Sequence, residues 1–267
     1  MIPQALTVAS RVSLSAHSPS NGLCAGRTPG ARIRNLSDHG VRPVAKLDPQ
    51  LAPAYTVPEA ARYLRIPLPT IRSWVMGRDY PRRAGMARFR PVIVTPKDSS
   101  HRLSFRNLVE LAALRALRTE HGLKLSAVRE ALQFAEKKLG TEAPLASREL
   151  FASAGELFLQ RYGQLINLNR AGQLGIWAVL QGLMRRIKWD DRLPVSFFPP
   201  VPNRPESQSV MLDPTVSFGR PVLARLGITT SVIVDRINAG EQPAAVAKDY
   251  GATQDEIMDA LAYERAA

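Results

Sequence analysis

Arginines and small hydroxyl residues between residues 70 and 102 have the side chains that bind phosphates and the edges of bases. Arginine forms bidentate hydrogen bonds with guanine and with phosphate oxygens, and serine and threonine hydroxyls can contact either group. Over residues 82–102 only Asp98 opposes the basic side chains. The candidate DNA ligands are Thr70, Arg72, Ser73, Arg78, Arg82, Arg83, Arg88, Arg90, Lys97 and Arg102.

Two short helices are predicted to position the first of these side chains. Thr56 and Glu59 have the spacing of a capping box that starts a helix, and Pro67 prevents that helix from continuing. The second helix is predicted to begin at Pro69, because the first turn of a helix does not use the missing N–H of proline. Its predicted buried face consists of Ile71, Trp74 and Val75, which leaves Thr70, Arg72 and Ser73 on the other face.

A basic β-hairpin is predicted to follow over residues 82–102. Residues 89–94 have strand composition, residues 96–100 have turn composition, and residues 101–103 would form the returning strand. Such a hairpin could lay arginines along phosphates or in the minor groove. The alternatives without DNA are a solvated charged loop and an ordinary pair of helices in a bundle.

This order of helix, turn, helix, basic hairpin, R-L-S-F at residues 102–105 and a further helix resembles the MerR-like winged-helix DNA-binding domain. The resemblance covers residues 55–140. It implies that the N-terminal residues of the second helix reach base edges in the major groove. Leu68 stands where that family usually has a small polar N-cap residue.

The charge of the chain is unevenly distributed. The net charge is +13. Residues 55–140 contain 17 Lys and Arg against 7 Asp and Glu, whereas residues 207–267 contain 5 against 8. The positive charge therefore predicts double-stranded DNA as the partner of the first segment and a different partner for the slightly acidic last one.

Residues suited to catalysis or to metal binding are scattered along the chain. The four histidines are far apart in sequence, Cys24 is the only cysteine, and no glycine-rich phosphate loop follows a predicted strand. The pair Asp190 and Asp191 has no histidine or cysteine nearby, so we interpret the two aspartates as cap or turn residues. We predict that the protein is not an enzyme and uses no cofactor or metal.

The location of the protein is predicted from its apolar runs and its cysteine content. No apolar run approaches the roughly 20 residues that span a membrane. A single cysteine fits a reducing cytoplasm. Residues 1–53 have no acidic residue before Asp38 and are rich in Ser, Ala, Arg, Pro and Gly. A transit peptide or a basic DNA-binding arm could have this composition, but we favour a disordered basic tail or a start codon assigned too far upstream.

The predicted fold class is mainly α with small β-hairpins, an α+β fold. Residues 54–140 would form the winged helix-turn-helix domain, completed by an apolar helix from Phe105 and by another from Ser126 to Gly140. These two helices either complete the core of the domain or form a homodimer. Residues 141–206 would form a connector of three parts: short strands over 149–169, a helix over 171–188 and a proline-rich linker over 193–205.

Residues 207–267 are predicted to form a small module of three helices. The helices cover residues 232–238, residues 243–250 and a stretch that begins with a capping box at Thr253 and Glu256. The order again resembles a helix-turn-helix. Its last helix is acidic, however, and phosphates would be repelled. We therefore interpret this part as an interaction or oligomerisation module.

The C-terminal residues also resemble a small domain family of unassigned function that occurs in bacterial antitoxins. The motif comprises D-P and G-R-P-V-L, then I-T-T-S-V-I-V-D-R-I-N-A-G, then A-A-V-A-K-D-Y-G-A-T-Q-D-E-I-M-D-A-L-A-Y. Together with the MerR-like head, residues 55–265 resemble VapB-type antitoxins. The resemblance implies a cytoplasmic partner of a PIN-domain ribonuclease toxin that also binds its own operator.

Three hypotheses follow from the sequence. The first is an antitoxin that masks a toxin and represses its own operon. The second is a one-component MerR-like regulator whose C-terminal part senses a ligand or dimerises. The third is an adaptor with an incidental basic surface.

Overall fold

The computed structural model describes residues 48–83, 85–97, 100–121, 125–140, 143–148, 170–191 and 193–266. Helices and three small antiparallel hairpins make up these residues, so the predicted α+β class is confirmed. Among them, no helix is both long and apolar enough to cross a membrane. All of the described residues lie in one compact unit, residues 46–267.

Two helices joined by a short turn begin the described chain. Helix α1, Val57–Leu64, starts at a capping box in which the Glu59 amide donates to Thr56 Oγ1 (3.3 Å) and the Thr56 amide donates to Glu59 Oε2 (2.8 Å). Helix α2, Leu68–Met76, begins one residue earlier than predicted. Its N-cap residue, Pro67, provides no side-chain cap, and the half-buried Leu68 packs against the core instead. The predicted buried face of α2 is confirmed: Ile71, Trp74 and Val75.

The hairpin lies nearer to α2 than the sequence predicts. Strand β1, Arg78–Arg82, pairs with strand β2, Gly85–Phe89, in antiparallel register. The predicted strand over residues 89–94 is therefore wrong beyond Phe89, and residue 103 does not return along it. Leu103 instead forms a bridge with Tyr55. The physical reason is Gly77, whose φ of 77° turns the chain directly after α2.

Two long helices follow and supply most of the first core. Helix α3, Phe105–His121, is buried on several sides, and helix α4, Leu125–Leu139, ends at Gly140 with a φ of 65°. A short 3-10 helix, Pro144–Ala146, packs against both. The predicted strands over residues 149–169 lie outside the described residues.

The segment before residue 206 differs from the prediction. Helix α5 covers Arg170–Met184, and Arg185 to Lys188 are not part of it. Strand β3, Ile187–Asp190, pairs with β4, Leu193–Phe197, across a turn at Asp191. The predicted linker over residues 193–205 is thus wrong, because Phe197, Phe198 and Val201 are buried. Of the two aspartates expected at a turn, Asp191 lies in it, and Asp190 is the last residue of β3.

The C-terminal part is a two-stranded sheet followed by three helices. Strand β5, Val210–Met211, pairs with β6, Val222–Leu223. The helices are α6, Thr230–Asn238, α7, Pro243–Tyr250, and α8, Gln254–Arg265. Helix α8 begins with the predicted capping box of Thr253 and Glu256.

The largest hydrophobic core extends through the first two thirds of the fold into this last part. It runs from Tyr55 through α3 and α5 to Phe197 and Leu212. A smaller core inside the C-terminal part contains Leu223, Ile233, Val246, Ile257 and Leu261. Helix α8 also contacts α1 directly, since the buried Tyr263 hydroxyl donates to the Tyr63 carbonyl at 2.7 Å.

Candidate nucleic-acid interface

Helix α2 presents its polar residues on the side opposite to its buried ones. Arg72 is exposed, while Thr70 and Ser73 are half-buried beside it. Trp74, with 2% exposure, fixes the opposite face in the core. The guanidinium of Arg72 is therefore available to a ligand, and the position of the helix beneath it is fixed by packing.

The hairpin adds exposed arginines beyond the end of α2. Arg78 begins β1, Arg83 lies in the turn, and Arg88 lies on β2; all three are exposed. Arg82 ends β1. Arg88 faces Asp79 on the neighbouring strand, with 3.5 Å between guanidinium and carboxylate. Because both side chains are exposed, this ion pair is weak and can yield to a phosphate.

The last three predicted ligands lie outside the hairpin. Arg90 and Lys97 are exposed on the chain that leaves β2. Arg102 is exposed as well, but its Nη1 donates to the Ala54 carbonyl at 3.3 Å. Burial raises the pKa of Glu59, but the hydrogen bonds from Thr56 and the nearby Arg102 outweigh burial and lower the pKa. Arg102 thus helps to hold the start of α1, whether or not it contacts DNA.

The base of the hairpin is attached to two helices. The Val92 and Ile93 amides both donate to the Trp74 carbonyl of α2, at 2.7 and 3.1 Å. From α4, the Arg129 guanidinium stacks 4.6 Å from the centre of the Phe89 ring and donates to the Arg90 carbonyl. No local sequence signal identifies Arg129, because its partners are about 40 residues away and depend on how α4 packs.

Another contact fixes the chain that connects the hairpin to α3. The Asn107 side-chain amide donates to the Val94 carbonyl at 3.0 Å and to the buried Glu110 carboxyl at 2.8 Å. Burial raises the pKa of Glu110 to about 7, and the hydrogen bond from Asn107 only partly offsets the effect of burial. The structure thus holds α2, the hairpin and the chain after it in a defined arrangement.

The acidic residues of α8 are paired within the molecule. Asp255 and Asp259 both contact Arg204, at 3.2 and 3.1 Å. Glu256 contacts Arg225 at 2.9 Å, and Glu264 lies 3.7 Å from Arg62 of α1. The negative charge that the sequence shows on this helix is therefore partly neutralised by arginines from distant segments.

The described residues contain no cluster of three or more histidine, cysteine or carboxylate side chains that could hold a metal ion. Among their polar features is the basic surface of α2 and the hairpin. What this surface can do chemically is bind a polyanion.

Comparison with known proteins places the chain among its relatives. A family model described as "Protein of unknown function (DUF433)" matches residues 210–263. The protein named "Putative antitoxin VapB45" from Mycobacterium tuberculosis (strain ATCC 25618 / H37Rv) is 31% identical over 227 residues, which cover 78% of this chain and 92% of that protein. The X-ray crystal structure of Rv2018 from Mycobacterium tuberculosis has a TM-score of 0.61 and 26% identity, and the match covers 79% of this chain and 98% of that one. Since the similarity spans nearly the whole relative, the chain belongs to the VapB-type antitoxin family.

Proposed function

We propose that this protein is a DNA-binding antitoxin that neutralises a PIN-domain ribonuclease toxin and represses its own operon. The antitoxin part is supported by the family membership. The DNA-binding part is supported by one structural observation, namely that Arg72 is exposed on α2 beside a hairpin that also exposes arginines.

In this proposal the two parts of the basic surface have different roles. Arg72, with Thr70 and Ser73 beside it, enters the major groove and reads a base, for which a bidentate contact with guanine is the best geometry for arginine. The hairpin arginines and Lys97 bind phosphates, which provide affinity without sequence preference. A homodimer would present two such surfaces to two half-sites of the operator.

The DNA-binding part is tested by exchanging Arg72 for alanine in the full chain. We expect Arg72→Ala to weaken binding to the operator by about 1–3 kcal/mol and to relax the preference at one base position. The measurement is fluorescence anisotropy with the upstream region of the gene and with a random duplex. Arg220→Ala, which removes an exposed arginine from the C-terminal part, is the matched control. An equal loss on both duplexes would make Arg72 a phosphate ligand instead.

The hairpin is tested through the dependence of affinity on salt. Arg83→Ala or Arg88→Ala should make the negative slope of log affinity against log salt shallower by about 0.9 for each phosphate that the variant no longer neutralises. An unchanged slope for both variants would show that these hairpin arginines do not contact phosphates.

The antitoxin part is tested by co-expression with the reading frame that adjoins the gene. We expect the neighbour alone to stop growth, and this protein to restore growth and to co-purify with the neighbour. A harmless neighbour that does not co-purify would favour the alternative, a one-component regulator.

A further inference from the structure

A groove on the molecule is lined by arginines and lies apart from the candidate DNA surface. It has a volume of about 550 Å³ and lies between the end of α1, the middle of α3, the second half of α5 and residues 197–208. None of the ten candidate DNA ligands is among its lining residues. Its accessible apolar lining includes Val179, Pro200 and Pro205, and the described cationic residues that line it are Arg65, Arg115, Arg185 and Arg186.

Three of these guanidinium groups are held in place by backbone carbonyls. Arg65 donates to the Pro200 carbonyl and stacks 5.0 Å from the centre of the Tyr263 ring. Arg115 donates to the Leu64 carbonyl at 2.7 Å. Arg186 donates to the Phe198 and Ser207 carbonyls, at 2.9 and 3.3 Å. Each group is thus oriented but keeps further N–H donors, since a guanidinium has five.

None of the four groove arginines forms an ion pair with a described carboxylate. Arg62, Arg204, Arg225 and Arg236 all do. Among the described residues that line the groove, Glu206 is the only carboxylate, and it is exposed. The groove therefore has an excess of positive charge over an apolar base.

The electrostatic cost of this arrangement is visible in the pKa values of the arginines. Burial lowers the pKa of Arg65, and the charge of Arg115 lowers it further, although Tyr263 partly compensates. Burial also lowers the pKa of Arg186, an effect that Glu206 only partly offsets. An incoming anion would relieve this cost, because it would pair with charges that are already partly desolvated.

We propose that this groove binds an acidic peptide segment of the toxin, with its carboxylates on the arginines and its apolar side chains on Val179, Pro200 and Pro205. The inference rests on the proposed function, which supplies the toxin as a partner. Charge complementarity selects an acidic segment, and the apolar base selects a peptide over a nucleic-acid backbone, which has no apolar side chains for it. DNA recognition and toxin recognition would then use separate surfaces, so one molecule could do both at once.

Two substitutions test the groove by different physical means. Arg185→Glu reverses an exposed charge whose side chain has no hydrogen-bond partner among the described residues. Gly182→Leu fills the groove without changing the charge. Gly182 lies within α5, and a Cβ added there meets nothing within 4 Å, so the helix should remain folded. Arg220→Glu, an exposed arginine outside the groove, is the matched control for charge.

The experiment is a calorimetric titration of the full chain with the purified product of the adjoining reading frame. We expect Arg185→Glu and Gly182→Leu each to raise Kd at least about tenfold, and Arg220→Glu to change it by less than about twofold. Operator affinity should stay unchanged in both groove variants, and the melting temperature should fall in neither; leucine in place of the helical Gly182 should raise it slightly.

The outcomes separate this inference from the proposed function. If the wild-type protein binds the toxin and neither variant weakens this binding, the groove is not the toxin-binding site, and the proposed antitoxin function still stands. If the groove variants lose operator binding but bind the toxin normally, the proposed toxin site is also wrong, and the groove instead binds nucleic acid. If the wild-type protein does not bind the product of the adjoining reading frame, both the groove proposal and the proposed antitoxin function are wrong.

Discussion

At the scale of single residues, Glu110 is unusual because a carboxyl group is buried in the helix that supports the candidate DNA surface. It is only 7% exposed, and Asn107 is its hydrogen-bond donor. Burial raises its pKa from 4.5 to about 7. The folded state therefore holds the Glu110 proton more tightly than the unfolded state does. The resulting stabilisation is fully present below about pH 4.5 and is lost as the pH rises through 7.

Glu110→Gln should make the protein less sensitive to pH. The amide cannot ionise and can still accept the hydrogen bond from Asn107, so the variant should gain up to ~3 kcal/mol of stability relative to wild type between pH 5 and pH 8. Urea unfolding of both proteins at the two pH values measures this difference. Glu206→Gln at the exposed surface is the control. A constant difference between Glu110→Gln and wild type would mean that Glu110 does not titrate in this range.

At the scale of elements, the junction between α2 and the hairpin depends on one glycine. Gly77 has a φ of 77°, and a Cβ at this position would lie 2.4 Å from the Phe89 carbonyl oxygen. An L side chain is therefore strained by its backbone conformation and also collides with β2. Because Val92 and Ile93 bind the Trp74 carbonyl next to this junction, a shift of the hairpin would disturb the whole basic surface.

Gly77→Ala should destabilise the protein by ~1–3 kcal/mol, because a φ of 77° with a ψ of −178° is a conformation that essentially only glycine adopts. Urea unfolding followed by tryptophan fluorescence measures the loss. Gly182→Ala is the matched control with the opposite expected sign, because alanine in a helix with open space around it should stabilise by ~0.5–1 kcal/mol. Wild-type stability in Gly77→Ala would show that the junction can relax at little cost.

At the scale of the whole molecule, the C-terminal helix closes onto the first helix of the chain. The Tyr263 hydroxyl donates to the Tyr63 carbonyl, and Glu264 faces Arg62. Gly219 packs so closely on Tyr55 that a Cβ there would lie 2.0 Å from the Tyr55 hydroxyl oxygen. These contacts join the two ends of the described chain, so we expect the beginning and the end to unfold together.

Tyr263→Phe should therefore weaken distant parts of the protein at once. Loss of the hydroxyl leaves a buried carbonyl without its donor, which costs ~1–3 kcal/mol. Hydrogen exchange should then become faster in α1 as well as in α8, and mass spectrometry of peptides from both helices measures this. Faster exchange in α8 alone would mean that the C-terminal part is an independent module.

Much of the local structure could be predicted from the sequence because its causes lie within a few residues. The capping boxes at Thr56 and Thr253 and the extent of α7, residues 243–250, are in the structure as predicted. The buried face of α2 follows from helical periodicity, and the exposure of Arg72 follows from the same periodicity. The candidate DNA ligands could therefore be named before any tertiary contact was known, and their role in binding stays a prediction.

The rest depended on contacts between residues far apart in the chain. The sequence did not indicate that Gly77 would start the hairpin early, that Phe197, Phe198 and Val201 would be buried, or that Arg204 and Arg225 would pair with the acids of α8. Nor did it bring together the four arginines of the groove, which come from the end of α1, from α3 and from the chain directly after α5. Caps and periodicity are properties of one turn of chain, whereas ion pairs, cores and grooves exist only once segments pack, so only the tertiary structure decided them.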